Sequence, residues 1–383
     1  MNFKLKKIAP QLITLAFVAL VFGFFSYNAQ LNMENRGITF GYGFLSQASS
    51  FDVQFSLIEY DGSHTYFRAY LVGLLNTILV SVIGIVFATI IGVVIGIARL
   101  SPNLLINKAA AYYVEFFRNV PLLLQIFFWY FAALRALPLP EKAEPIFGVF
   151  FLTIKGLFVP AFIWNNLDIF LYSVLAAIIS IIVIRSYAKK LRETEGKHIP
   201  VLYISLGLII GLPLLSFLIG GVKLNFEIPV LTQLATTSFR FNGGVGLPPE
   251  LIALTLALSL YTATFIAECV RAGIQGVSKG QKEAAASIGL TPNQVLKLVI
   301  MPQALRIIIP PTTNQYLNLT KNSSLAAAIA YPDLVLVFAG TALMQTGRAI
   351  EIVSITMLTY LSLSVSISIF MNWYNKKIAI KEK

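Results

Sequence analysis

The chain has 383 residues, of which 57% are hydrophobic and only 12% are charged, and its formal net charge is +12. Its apolar runs are longer than a buried helix needs, which excludes a soluble protein and predicts a protein embedded in a lipid bilayer. The positive charge follows a membrane-orientation pattern, so nucleic acid is not an expected partner. A single cysteine, Cys269, excludes a disulfide within the chain.

Roughly twenty apolar residues cross a bilayer, and several segments of the chain meet that condition. In chain order they are approximately 8–27, 70–99, 109–134, 169–186, 201–220, 250–270, 304–330 and 350–373. The predicted fold is therefore all-α, a polytopic integral membrane protein of about eight transmembrane helices. The first segment runs to about Tyr27 without an A-x-A-like cleavage site, so we interpret it as an uncleaved anchor rather than a signal peptide.

These segments predict three regions. Residues 1–69 form an anchor helix and an outer loop, residues 70–373 form the main transmembrane domain, and residues 374–383 form a tail. An insertion at about 138–248 contains two apparent spans. Because two is an even number, the insertion leaves the topology of the following helices unchanged.

Lysine and arginine are distributed unequally between the predicted loops. With the N-terminus in the cytoplasm, that side collects Lys4, Lys6, Lys7, Arg99, Lys108, the Arg185–Lys197 cluster and the C-terminal lysines. The other side holds scattered residues such as Arg36, Arg68, Lys142, Lys155 and Lys223. This positive-inside pattern predicts that both termini lie in the cytoplasm.

Two pairs of opposite charges are predicted at membrane depth, where an isolated charge costs roughly 2.5–3.5 kcal/mol. Glu115 and Arg118 stand three residues apart on one helix face, and Glu268 and Arg271 repeat that spacing at the end of the sixth span. Each pair can neutralise itself within one helix. For the first pair, contact with a transported substrate stays open as the alternative.

A polar segment, Gln275–Pro302, separates two long apolar runs. Ser278 followed by Gln281 predicts a capping box, and an alanine-rich helix is expected from Lys279 to Ile288. On spacing alone, an ordinary loop between helices is equally compatible with this segment.

The sequence also predicts where that helix ends and where a second short helix begins. Gly289 is expected to end the first helix in the left-handed conformation. Thr291, followed by Pro292 at the first helical position, predicts the cap of the second helix. Each cap contributes ~1 kcal/mol, so the bend is encoded locally.

Several sequence motifs occur in order along the chain. They are VEFFRNVPLLLQIFFWYF from Val114, AECVRAGIQGVSKGQ from Ala267, EAAASIG from Glu283, MPQALR from Met301, PPTTNQYLNLTKNSSL from Pro310 and TGRAIE from Thr346. Together they resemble the transmembrane permeases of type I ABC importers, in the branch for polar amino acids. The resemblance covers roughly residues 70–373, and it is strongest to the longer permeases of general L-amino-acid importers, which carry a mid-domain insertion.

The resemblance implies a permease that forms half of a path for L-amino acids across a bacterial inner membrane. The implied partners are ABC ATPase subunits, a second permease, identical or homologous, and a periplasmic amino-acid-binding protein. The EAA signature would be a cytoplasmic coupling helix that seats in a groove of the ATPase. Its residues here are Ser278, Gln281, Glu283, Ala284, Ala285, Gly289 and Pro302, with Pro302 expected to follow the second helix. Glu268 and Arg271 are candidates for helping to dock the ATPase.

The seventh span is denser in polar groups than a lipid-facing helix tolerates. In a bilayer such groups must face protein or a water-filled path. The candidates for lining a path are Asn314, Asn318, Thr320, Lys321 and Asn322. Hydrogen bonding between helices by small polar residues is the structural alternative.

The chain carries no signature of catalysis. The phosphate-binding pattern G-x-x-x-x-G-K-[ST] is absent, so ATP hydrolysis is expected on a separate subunit. His64 and His198 fall in loops predicted on opposite sides, so neither a metal site nor any cofactor is expected. The rival function is a gradient-driven secondary transporter, which usually shows internal repeats that this sequence lacks. A membrane scaffold would not need the polar seventh span.

Overall fold

The computed structural model describes residues 3–35, 41–196, 199–235 and 238–378. Arg36, Lys197, His198 and the end of the predicted tail, residues 379–383, lie outside the described residues. The chain divides into two compact units, one of Met1–Val114 with Thr262–Lys383 and the other of Glu115–Tyr261.

Helices make up most of the described chain, as the sequence predicts. They are α1 (Phe3–Asn35), α2 (Tyr66–Ala98), α3 (Leu104–Asn119), α4 (Leu122–Phe127), α5 (Leu167–Glu195), α6 (Val201–Leu218), α7 (Pro249–Gln275), α8 (Lys279–Ser287), α9 (Pro292–Gln294), α10 (Met301–Asn322), α11 (Leu343–Thr346) and α12 (Ala349–Ile378). Wide π-helical turns at Phe128–Ala133, Val295–Ile300 and Val335–Ala342 extend α4, precede α10 and precede α11.

Seven helical segments of the described chain are long and apolar enough to cross a membrane, and an eighth is a bent pair. The bent pair joins Leu104–Asn119 to Leu122–Ala136 at 101°, so the predicted third span is broken rather than straight. The break has a local cause, because Pro121 disfavours a helical conformation at Val120 and has no N–H to donate. Gln125 then holds the bend, since its Nε2 donates to the carbonyls of Phe117 and Val120 at 2.8 and 2.9 Å.

The seventh span is longer than predicted. Helical structure continues without interruption from Pro292 to Ile329, so the second short helix of the polar segment is the start of this span. Pro302 therefore lies inside the helix and does not follow it, contrary to the prediction. It lies just after the π-helical turn, where the hydrogen-bond spacing changes to that of α10.

In the first unit, α2 packs closely against α7. A β-carbon at Gly92 would lie 2.7 Å from the Cβ of Ile266, and one at Gly96 would lie 2.7 Å from the carbonyl oxygen of Ala267. Only glycine permits this approach, in the manner of the GxxxG contacts that bring membrane helices together.

Away from that contact, the first unit has a core around the opposite end of α2. Its buried members are Phe44, Tyr66, Leu334, Phe338, Ala342 and Ile352. Asn76 crosses from α2 to the segment before α11, because its Nδ2 donates to the Pro332 carbonyl at 2.8 Å. The short apolar helix Val335–Thr346, which contributes much of this core, is not predicted by the sequence analysis.

The second unit contains seven short strands that the sequence analysis does not predict. They are β1 (Phe151–Thr153), β2 (Gly156–Val159), β3 (Ala161–Asn165), β4 (Lys223–Glu227), β5 (Val230–Ala235), β6 (Ser238–Asn242) and β7 (Val245–Leu247). β2 pairs with β7 and β3 pairs with β4, all antiparallel. These pairs join the segment before α5 to the segment after α6, so both segments lie on the same side of any membrane that the two helices cross.

Candidate coupling segment and translocation path

Helix α8 ends as the sequence predicts. Gly289 has φ +83°, the Gly289 N–H donates to the Ala286 carbonyl at 3.0 Å, and the Leu290 N–H donates to the Ala285 carbonyl at 3.3 Å. This is the Schellman arrangement, in which a left-handed residue satisfies the last carbonyls of a helix. The chain therefore turns sharply between α8 and α9.

The predicted cap at Thr291 forms, as a capping box with Gln294, and the capping box predicted at Ser278 does not. The Gln294 N–H donates to Thr291 Oγ1 at 3.4 Å, and the Thr291 N–H donates to Gln294 Oε1 at 2.9 Å. Ser278 makes no side-chain cap, so the box predicted with Gln281 is wrong. Gln281 instead accepts a hydrogen bond from Gln303 at 3.4 Å, which holds its side chain away from Ser278.

The two faces of α8 differ in exposure. Ala285 is buried, whereas Glu283 and Ala284 are exposed. Two large apolar side chains of this region are also exposed, Ile288 just after α8 at 77% and Leu298 in the following π-helical turn at 60%.

A three-residue ion cluster lies near the end of α7 that leads into α8. Arg271 donates to Glu268 Oε2 through Nε and Nη2 at 3.0 and 2.9 Å, which confirms the predicted pair. Arg99, the C-cap of α2, forms a second ion pair with Glu268. The sequence analysis missed Arg99 as a partner because the two residues meet only through tertiary packing. Glu115 and Arg118 occupy exposed positions of α3, and their pairing stays a prediction.

The polar residues of α10 fall into two groups. Asn314, Asn318 and Lys321 are exposed and follow the i, i+4, i+7 spacing of a single helix face. Thr320 is buried, and its hydroxyl donates to the Tyr316 carbonyl at 3.0 Å, so it is engaged within its own helix. Asn322 is partly buried. We call Asn314, Asn318 and Lys321 the polar stripe.

We call Ser278–Gly289, which contains α8 and the turn that ends it, the coupling segment. The polar stripe lies on the helix that begins directly after this segment. The helical structure that starts at Pro292, directly after the Thr291 cap, carries the stripe further along. Displacing the start of this helix therefore displaces the stripe as well. Among the described residues, no group of three or more His, Cys, Asp or Glu side chains is placed to hold a metal ion.

Known proteins match almost the whole chain. Residues 199–380 match the family described as "Binding-protein-dependent transport system inner membrane component". The "Putative amino-acid ABC transporter permease protein YhdX" of Escherichia coli (strain K12) is 48% identical over 374 residues, covering 97% of this chain and 94% of that protein. The "General L-amino acid transport system permease protein AapQ" of Rhizobium johnstonii is 46% identical and covers 99% and 94%.

Among solved structures, one described as "Crystal structure of an amino acid ABC transporter with histidines" aligns with a TM-score of 0.47 at 20% identity. That alignment covers 82% of this chain and 95% of that chain.

Proposed function

Since the chain belongs to the family of amino-acid ABC transporter permeases, which are multi-pass inner-membrane subunits working with separate ATPase subunits, we propose that its cargo is L-amino acids. In this proposal a second permease, identical or homologous, completes the path, and a periplasmic binding protein delivers the substrate. The division into an anchor region of residues 1–69, a permease domain of residues 70–373 and a tail belongs to the same proposal.

The polar stripe is the observation that carries this function. Three polar side chains on one exposed face of a membrane helix cannot face hydrocarbon, because an unsatisfied polar group there costs several kcal/mol. An amino acid carries a carboxylate and an ammonium group, which the amides of Asn314 and Asn318 and the ammonium of Lys321 complement. The stripe therefore lines the half-path that this chain contributes.

The coupling role belongs to α8 and the turn after it. Glu283 and Ala284 on α8 and Ile288 just after it are exposed, and this short helix is suited to a groove on an ATPase subunit. Ala285 and Pro302 support the segment from its inner side. Both termini and α8 lie in the cytoplasm in this proposal, because lysine and arginine concentrate on that side.

The test compares stripe variants with a matched control in the complete importer. Asn314→Leu, Asn318→Leu and Lys321→Met should each lower the initial uptake of labelled L-glutamate, L-alanine and L-lysine about tenfold, because each removes a polar partner of a charged solute. Thr313→Val is the control, since its hydroxyl donates only to its own helix at Ile309. Full uptake by all three stripe variants would contradict the assignment of the path.

A further inference from the structure

We propose that Glu268 is a positioning residue that ties α2 to α7 through Arg99, so that both helices follow the coupling segment when the ATPase acts. The proposal rests on the coupling role of α8 proposed above. It adds a specific route by which force from α8 reaches α2, a helix distant from it in the sequence.

The two oxygens of the Glu268 carboxylate serve different helices. Oε1 pairs with Nη1 of Arg99 on α2, while Oε2 accepts two hydrogen bonds from Arg271 on α7 itself. The side chains of Arg99, Glu268 and Arg271 are 21%, 25% and 32% exposed. Both carboxylate oxygens are therefore engaged, and of these contacts the one with Arg99 joins α7 to α2.

The close contact of α2 with α7 at Gly92 and Gly96 lies beside the ion cluster, so the bond between Arg99 and Glu268 joins two helices that are already packed together. Gly92 and Gly96 bring α2 against Ile266 and Ala267, one or two residues before Glu268. Apolar packing of this kind resists separation, but it fixes the sliding of one helix along the other only weakly. An ion pair at the end of the contact fixes that sliding, because its geometry tolerates little displacement.

The cluster also lies next to the coupling segment. Arg271 Nη1 donates to Gln275 at 2.8 Å, and Gln275 is the last residue of α7. Only Gly276, Val277 and Ser278 separate Gln275 from α8. A displacement of α8 thus reaches Arg271 and Glu268 first, and Arg99 passes it to α2.

The experiment is a charge reversal and swap in the complete importer. Arg99→Glu and Glu268→Arg each place like charges together and should lower the amount of L-amino acid transported per ATP hydrolysed about fivefold or more. The double variant Arg99→Glu with Glu268→Arg restores an opposite pair between α2 and α7 and should recover part of that ratio, since the arginine introduced at position 268 also lies beside Arg271. Lys189→Glu is the matched control, because it breaks an ion pair on α5 whose partners are 78% and 64% exposed.

The ratio of transport to hydrolysis separates positioning from plain stability, since a merely destabilised importer loses both activities together. If the reversed variants fail to accumulate, Arg99→Gln and Glu268→Gln replace them, because neutral side chains remove the bond without adding repulsion. Unchanged ratios in the single variants, or no recovery in the swap, would overturn the proposal. Glu283→Lys is measured in parallel. If it lowers the ratio of transport to hydrolysis while the Arg99 variants do not, the proposed link between α2 and α7 is wrong and the coupling role of α8 stands.

Discussion

Gly280 lies at the start of α8 and Gly289 follows its end, but of these two positions only 289 requires glycine. Gly289 has φ +83°, a conformation that costs other residues roughly 1–2 kcal/mol. Gly280 lies in the first turn of α8, and a β-carbon there would have nothing within 4 Å. A substitution at position 289 therefore tests backbone strain, whereas a substitution at position 280 adds a side chain without strain.

Gly289→Val should insert and accumulate normally yet bind the ATPase subunit less well, because the strained turn displaces α8, whose Ala285 is buried against the rest of the chain. Copurification of the ATPase in mild detergent measures this loss. Gly280→Ala should copurify the ATPase as the unchanged chain does, since alanine suits a helix interior. Equal copurification by both variants would mean that the turn after α8 does not shape the docking surface.

Features at single residues were predictable where interactions with near neighbours in the sequence determine them. The left-handed conformation of Gly289 and the cap at Thr291 depend on neighbours within a few residues, and both form. The box between Ser278 and Gln281 does not form, and the side-chain oxygen of Gln281 instead accepts a hydrogen bond from Gln303, a residue 22 positions further along the chain. The ion pair of Arg99 was unpredictable for a related reason, since only the close packing of α2 on α7 creates it.

At the scale of elements, long apolar helices were readable from the sequence, and short or interrupted ones were not. The strands β1–β7 span only three to six residues each, and β2 and β3 pair with β7 and β4 across the inserted helices, so these partners are remote in sequence. The apolar run from 109 to 134 suggested one helix, but Pro121 bends it sharply. The prediction that Pro302 follows a separate short helix was wrong for the opposite reason, since the π-helical turn at Val295–Ile300 continues the helix through Pro302.

The strand pairs support a specific topology for the insertion, in which α5 and α6 cross the membrane and return. In a Cys269→Ala background, single cysteines at Gln54 and Asn242 should react with an impermeant thiol reagent in intact cells. Cysteines at Thr194 and Lys279 should react only after lysis. Labelling of Thr194→Cys in intact cells would contradict the double crossing, and a reversed pattern at all four positions would overturn the orientation.

At the scale of the whole molecule, we propose that the chain contributes half of a translocation path and a helix that transmits movement to it from a separate ATPase subunit. Family membership places ATP hydrolysis on a separate subunit, and the continuous helix from Pro292 links the proposed docking surface to the polar stripe. A gradient-driven transporter would have no use for a short exposed helix, ended by a Schellman turn, that docks an ATPase subunit. Its energy source would lie in the membrane, and not at the end of α7.

Uptake by reconstituted vesicles tests this arrangement most directly. The chain is purified in mild detergent with its copurifying subunits, and separately as a single polypeptide, and both are placed in liposomes with labelled L-glutamate, L-alanine and L-lysine outside together with the periplasmic binding protein. Concentrative uptake should appear only with the copurified subunits and enclosed ATP, and it should fail with a non-hydrolysable analogue. Uptake by the single polypeptide under a proton or sodium gradient alone would contradict the account.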